Sequence, residues 1–269
     1  MIGGKTVSGF VITYNEEQNI ADCLETIKWA DELIIVDSYS QDATVGIARR
    51  YTDKIIQREF PGYVAQTRFA FEQTSGDWVV WLDADERLTP EALEEASQFL
   101  QMPDAGGYDG FAFRRKTFFL GRWVTHGRWY PQYRLRLVRR DAAAIAGREP
   151  HPNAVVVGRT KRLKGEILHH SYSGGMLDYV VRSARMAEAG ARERFERGEG
   201  ASMARLLLEP PLAFLDSYLL RLGLLDGLAG FAVAVGAAYH KFIRSIRLWE
   251  LEREAEAGAP GGEEQEPAA

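Results

Sequence analysis

Residues 78–86 read Trp78-Val79-Val80-Trp81-Leu82-Asp83-Ala84-Asp85-Glu86. An unbroken apolar run leads straight into a cluster of carboxylates. Such a run predicts a buried strand, and the acidic cluster is what that strand carries at its carboxyl end. The same grammar appears earlier in the chain. Val7–Thr13 is an apolar run ending in Tyr14-Asn15-Glu16-Glu17, where Asn15 has the chemistry of a helix cap and Ile20, Leu24 and Ile27 follow at helical spacing. Leu33–Val36 ends at Asp37, and Asp42 is placed to cap a second helix through Arg50. Ile55-Ile56 predicts a third strand and Val64–Gln73 a third helix, which makes Trp78–Leu82 the fourth strand. Beyond it, Thr89-Pro90 is a cap with proline at the first helical position of a helix Glu91–Leu100. This alternation predicts an α/β fold, a mostly parallel sheet flanked by helices. Ligands bind such sheets beyond the carboxyl ends of the strands. Thr13–Glu17, Asp37 and Asp83–Glu86 are therefore expected to converge on one crevice.

After Gly110 the pattern changes. Phe111–Phe119, Tyr133–Val138, Ala154–Val157 and Arg162–Leu168 predict added strands and hairpins. Met176–Arg197 reads as a charged amphipathic helix. Leu206–Leu225 and Leu228–Trp249 read as more apolar helices, separated by Pro210-Pro211 and glycines. Residues 254–269 are Glu, Gly, Ala and Pro in the main, the composition of an unstructured tail.

Charge divides the chain in the same places. The 269 residues carry a net −5, but residues 1–110 hold −12, residues 111–170 hold +11 and residues 171–269 hold −4. The basic block is dominated by arginine: Arg114-Arg115-Lys116, Arg122, Arg128, Arg134, Arg136, Arg139-Arg140 and residues 159–164. Arginine suits planar recognition of phosphate or carboxylate, although alternate arginines in Arg134-Leu135-Arg136-Leu137 also fit the wet face of a strand. Nucleic acid is excluded as the partner: no nucleic-acid module matches, and the pI is about 5.7. One cysteine, Cys23, excludes a disulfide scaffold. The opening residues have no secretory pattern. The clean apolar run Leu228–Tyr239 has 12 residues, short of the roughly 18 a span requires. Surface attachment stays open, with Tyr218, Phe231, Tyr239 and Trp249 as interfacial aromatics and Lys241, Arg244 and Arg247 facing anionic headgroups. An ordinary helical hairpin is the competing reading.

Asp83 and Asp85, two carboxylates at i and i+2 past a buried strand, can share a hard cation with a diphosphate. Mg²⁺ or Mn²⁺ is the expected cofactor. A solvated acidic turn is the plain alternative. A haloacid-dehalogenase-type phosphotransferase is disfavoured because its motif sits on the first strand and needs a later acidic pair. Tyr14 can stack on a base, and Glu16 and Asp37 can take ribose or base N–H contacts. Neither the dinucleotide fingerprint nor the P-loop is present.

Three of these stretches together resemble a known family. Ile12-Thr13-Tyr14-Asn15-Glu16, Val36-Asp37-Ser38-Tyr39-Ser40-Gln41-Asp42-Ala43-Thr44 and Trp81-Leu82-Asp83-Ala84-Asp85-Glu86 are similar to the signatures of family 2 inverting glycosyltransferases of the GT-A fold. The bacterial lipopolysaccharide-core β-1,4-glucosyltransferase-like group is the nearer likeness. It continues through Gln66–Gln73, Gly127–Pro131, Arg134–Leu137 and Leu163–His170, covering about residues 6–250. The resemblance implies a Rossmann-like sheet with an added β-hairpin region and C-terminal helices. It divides the chain into a catalytic domain 1–172 (a nucleotide-sugar half 1–110 and an acceptor half 111–172), a helical region 173–253 and a tail 254–269.

It also implies transfer of a hexose, glucose from UDP-glucose being the first expectation, to a lipopolysaccharide-core or other anionic, lipid-linked saccharide. The location implied is the cytoplasm, or the inner face of the cytoplasmic membrane. Thr13, Tyr14 and Glu16 would hold the nucleoside with Asp37, Asp83 would approach the ribose and diphosphate, Arg68 would add a phosphate or sugar contact, and Asp85 would bind the metal.

Inversion needs one general base for the acceptor hydroxyl. Relatives commonly carry a His-Glu pair near the end of the hairpin region. Here the chain reads Gly147-Arg148-Glu149-Pro150-His151-Pro152, so Pro152 stands in the place of that glutamate and the base is Glu149 or His151. Four of the five histidines, His126, His151, His169 and His170, lie in the basic block. One of them beside Asp85 at the metal is one expectation; hydrogen-bonded strand-end histidines are the other. Two rival functions remain at this level: a lapsed sugar-nucleotide-binding protein and a membrane-surface scaffold.

Overall fold

The structure, a computed structural model, describes residues 1–149, 151–172 and 175–258. Contacts divide the chain into two compact units, one of residues 1–125 with 129–171 and the other of residues 126–128 with 172 onward.

The first unit opens with β1 (Val7–Thr13), α1 (Ile20–Ile27), β2 (Glu32–Asp37), α2 (Thr44–Ala48), β3 (Ile55–Gln57), α3 (Tyr63–Glu72), β4 (Trp78–Asp83), β5 (Glu86–Leu88) and α4 (Pro90–Gln101). It continues with β6 (Gly110–Phe119), β7 (Arg122–Trp123), β8 (Gln132–Arg139), β9 (Ala143–Arg148), β10 (His151–Val156) and β11 (Thr160–His169). The main sheet runs β3-β2-β1-β4-β8-β6-β11-β5, with β7 on β6, and β9–β10 form a separate hairpin. Pairing is parallel from β3 to β4 and mixed thereafter, since β8 is antiparallel to both β4 and β6 while β11 is parallel to β6.

Alternation along the strands explains the layers. Val11, Ile35, Val80 and Leu82 face one side of the sheet and pack with Ile20, Cys23, Leu24 and Ile27 of α1 and Ala92, Ala96 and Leu100 of α4. Phe10, Ile34, Val36, Val79 and Trp81 face the other side, against Ala70 and Phe71 of α3 and Ile145 of β9. Strands buried on both faces have no polar alternation to show, which is why they read as continuous apolar runs. Gly165 brings β11 against α4: a Cβ there would lie 2.2 Å from Ala92 Cα. Registers Thr13↔Asp37 and Ile12↔Asp83 align the strand ends expected to converge.

The second unit contains α5 (Gly175–Glu196), α6 (Met203–Leu215) and α7 (Gly227–Gly258). Glu188 of α5 accepts from Arg247 of α7 at 2.7 Å, and Glu209 of α6 accepts from Arg244 of α7 at 2.7 Å. By length and composition alone, Gly223–Ala257 is apolar enough to cross a membrane.

Several local expectations are corrected. Asn15 does not cap α1; it takes a left-handed conformation (φ 52°), and its side-chain oxygen accepts from Gln41 N at 2.8 Å. The helix after β2 is five residues long and begins at Thr44, whose amide donates to Asp42 at 3.0 Å. Pro210 and Pro211 lie inside α6 rather than between helices, and the break falls later, in a π turn at Asp216–Leu220. The segment expected to be unstructured from Glu254 is helical to Gly258; residues 259–269 lie outside the described residues. Three strands escaped the sequence reading. β5 and β7 are three and two residues long, and β9 is alanine- and glycine-rich. Partners create them rather than propensity.

Candidate active site

The strand ends of β1 and β2 form one wall. Thr13 is buried, and its hydroxyl has no hydrogen-bond partner among the described residues. Tyr14, next along the chain, is 56% exposed. Glu16 accepts from Asn19 Nδ2 at 2.8 Å, and its amide donates to Thr44 Oγ1 at 2.8 Å. Asp37 is fully buried. It accepts from Ser40 N at 3.0 Å and from Gln57 Nε2 at 2.9 Å, so its carboxylate organises the turn after β2. Ser38 links this turn to β1 through its amide, which donates to Thr13 O at 2.9 Å, and its hydroxyl accepts from buried Gln66. Gln66 Oε1 is also without a partner among the described residues. Two unsatisfied oxygens on buried side chains thus lie at the carboxyl end of the parallel half.

The end of β4 forms the second wall, and its chemistry differs. Arg136 of β8, only 5% exposed, donates to Asp83 Oδ2 at 2.7 Å and to Glu86 Oε2. Its guanidinium lies over Trp81, 5.3 Å from the ring centroid. Arg115 of β6 reaches Glu86 from the other side at 3.4 Å. Burial alone would raise the Glu86 carboxyl, but the two guanidiniums outweigh it and hold that pKa below the ordinary value. Burial pulls Arg134 the other way, with Arg115 and Arg136 adding repulsion, to about 10. Trp81, Asp83, Arg115, Arg134, Arg136 and His151 help line a cleft of about 220 Å³. Partial burial and the charges of Arg134 and Arg115 lower the His151 pKa from the ordinary histidine value, which favours the neutral imidazole.

Asp85 faces elsewhere. Its Oδ2 lies 3.3 Å from His169 Nε2, and its carbonyl accepts from His170 N at 2.8 Å. His170 packs between Phe118 and Trp123 (centroids at 5.8 and 5.1 Å), and His126 belongs to the second unit, bonded to Asp226. A carboxylate and an imidazole at one point fit a divalent cation that completes its shell with substrate oxygens. No cluster of three His, Cys, Asp or Glu side chains is gathered among the described residues.

Two expected residues have other engagements. Arg68 donates to the Ile145 carbonyl at 3.3 Å, tying α3 to the β9–β10 hairpin. Glu149 accepts from both Tyr63 N and Val64 N at 2.8 Å, capping α3. Gly62 makes that cap possible, since a Cβ there would stand 2.6 Å from the Glu149 carboxylate. The sequence reading places Arg115 and Arg136 in the basic block and does not foresee their contacts with Asp83 and Glu86. No local pattern marks Arg136: the β6–β8 register shifts beside it, between Leu137 and Leu135, so strand alternation does not say which way it faces.

These residues gather at the carboxyl ends of an α/β sheet, and sequence comparison supplies the family. The chain belongs to glycosyl transferase family 2, whose pattern matches residues 8–155. It is 28% identical over 257 residues to the lipopolysaccharide core biosynthesis glycosyltransferase LpsC of Rhizobium meliloti, covering 93% of this chain and 94% of that protein. It is 30% identical over 260 residues to an uncharacterized glycosyltransferase of Rickettsia typhi, covering 92% and 88%. Among solved structures, Staphylococcus aureus TarS residues 1–349 align at 19% identity and TM-score 0.46, covering 93% of this chain and 92% of that one. The protein is a glycosyltransferase.

Proposed function

We propose that the enzyme transfers a hexose, glucose from UDP-glucose, to a lipopolysaccharide-core or other lipid-linked saccharide with inversion at the anomeric carbon. The named role of LpsC, similar over nearly the whole of both chains, supports the acceptor class. The two-way division of the β4 end carries the mechanism: Asp83 enters the cleft that His151 lines, while Asp85 meets His169.

In this reading Thr13, Tyr14, Glu16 and Gln66 receive the nucleoside, with Asp37 holding the turn that shapes their wall. The unpartnered oxygens of Thr13 and Gln66 suit the N–H of a pyrimidine base. Arg68 braces the hairpin beside the sugar. Asp85 and His169 would hold Mg²⁺ or Mn²⁺, which neutralises charge on a departing diphosphate. The neutral His151 imidazole takes the proton of the acceptor hydroxyl as that oxygen bonds to the anomeric carbon and the bond to the β-phosphate breaks. Arg115 and Arg134 meet an anionic group of the acceptor. Glu149, occupied with α3, leaves the base role to His151.

The test is turnover of UDP-glucose with a deacylated core oligosaccharide, with and without chelator. The expected product is a β-glycoside, with activity lost to chelator and restored by Mn²⁺. An α-linked product, or activity indifferent to chelation, overturns the reading.

A further inference from the structure

Between residues 206 and 240 the second unit shows the solvent almost nothing but hydrocarbon. Ten leucines from Leu207 to Leu228 are exposed, joined by Phe231 and Val235. Leu220 and Leu228 stand 79% and 74% exposed. Arg221 is the one exposed charged residue of that stretch. The rings of Phe214, Tyr218 and Phe231 touch one another, with centroids 5.3 to 5.8 Å apart, so α6, the π turn and the start of α7 carry these leucines as neighbours. Soluble monomers rarely leave so many large apolar side chains together in water.

The acidic residues of the stretch are all engaged within the unit. Glu209 is bonded to Arg244 at 2.7 Å with Lys241 at 3.7 Å, and Asp216 is paired with Arg128 at 2.9 Å and Arg221 at 3.1 Å. Asp226 is fully buried and accepts from His126 N at 2.7 Å. The face is therefore apolar and free of uncompensated anion, and the Arg128–Asp216–Arg221 cluster beside it holds one positive charge in excess.

We infer that this face seats the chain in one leaflet of an anionic phospholipid bilayer. Charge decides between bilayer and a second copy of the chain. A two-fold pairing of like patches would bring together two copies of the Arg128–Asp216–Arg221 cluster, each holding one positive charge in excess of its carboxylate. A phosphate headgroup accepts from Arg221 while the leucines enter the acyl boundary. Seating on the surface, rather than spanning, follows from α7: after Tyr239 it carries Lys241, Arg244 and Arg247, which are paired to Glu209 and Glu188 of α6 and α5. The clean apolar segment Leu228–Tyr239 spans about 18 Å as a helix, against a hydrocarbon core of about 30 Å. The inference does not depend on the donor or acceptor proposed above.

The experiment is flotation of the full chain with vesicles of phosphatidylethanolamine and phosphatidylglycerol, beside vesicles of phosphatidylcholine alone. A Leu220→Asp, Leu228→Asp double variant is run in parallel, and Leu220→Gln, Leu228→Gln serves should the charged pair lower the thermal midpoint. Expected is binding that is several-fold stronger to the anionic vesicles, and a loss of about tenfold or more in the variant with UDP binding unchanged. Failure to float with either vesicle overturns the inference. Equal binding to both overturns the choice of anionic lipid. A vesicle-free dimer that the double variant dissolves, seen by sedimentation, makes a second copy the occupant and overturns it as well.

Discussion

The two walls of the site are built from the same residue types by opposite means. At the ends of β1 and β2, Glu16 and Asp37 bind amides and side chains within their own turns or the adjacent strand. At the end of β4, Asp83 and Glu86 are held by guanidiniums from β8 and β6, 29 to 53 residues away in sequence. The first wall is a local backbone shape that presents a few unsatisfied oxygens. The second is a balanced charge cluster, in which removal of one member leaves the others uncompensated. Substitutions at the second wall should therefore change the chemical step or global stability, and those at the first should change donor affinity.

The largest effect is expected from Asp85→Ala, about 10⁴-fold in kcat, because the proposed cation would lose its carboxylate. Steady-state kinetics at saturating UDP-glucose checks it; a change confined to KM would place Asp85 with the nucleoside wall instead. His151→Ala should follow, at about 10³-fold in kcat. The acid limb of the wild-type profile should lie below the ordinary histidine range, because burial and the charges of Arg134 and Arg115 favour the neutral imidazole. Asp83, which shares the cleft, is itself paired with Arg136. Arg134→Gln removes part of the repulsion, so the acid limb of the profile should move to higher pH. An unmoved limb would assign the titration to another group.

Arg136→Leu probes the charge cluster through folding. Removing Arg136 breaks its buried pair with Glu86, leaving that carboxylate with Arg115 at 3.4 Å and Asp83 without its cation, at a cost of about 3 kcal/mol. Denaturant unfolding should show that loss, and Arg136→Lys should recover only part of it because a single ammonium cannot reach both carboxylates as the fork does. Loss of activity with unchanged stability would mean that Arg136 serves the substrate and not the cluster.

The contrast between the walls also explains what the sequence could convey. β1, β2 and β4 were legible because strands buried on both faces need unbroken apolar runs, and the polar residues ending them follow directly in the chain. The meeting of Asp85 with His169, and of Glu86 with Arg136 and Arg115, depends on where β11, β8 and β6 fall in the sheet. No local pattern encodes that order. The same holds for β5, which has three residues and exists because β11 lies beside it. Glu149 is the clearest case: three residues from a family position for the base, its carboxylate is claimed by a helix start 86 residues earlier.

That claim gives the smallest and most discriminating prediction. Glu149→Ala leaves the first amides of α3 without their acceptor, and loss of a helix N-cap costs about 1 kcal/mol. The thermal midpoint should fall by a few degrees, while kcat at a temperature well below the transition should stay within about threefold. Gly62→Ala should lower stability too, through a strained backbone at φ 121° and the displaced carboxylate, without touching any group in the cleft. A base and a cap separate cleanly here, since removing a base lowers kcat and removing a cap lowers stability. If Glu149→Ala instead lowers kcat as far as His151→Ala does and removes the acid limb of the pH profile, the carboxylate must leave α3 when substrate binds. The hairpin β9–β10 would then be the moving part of the site rather than a fixed wall.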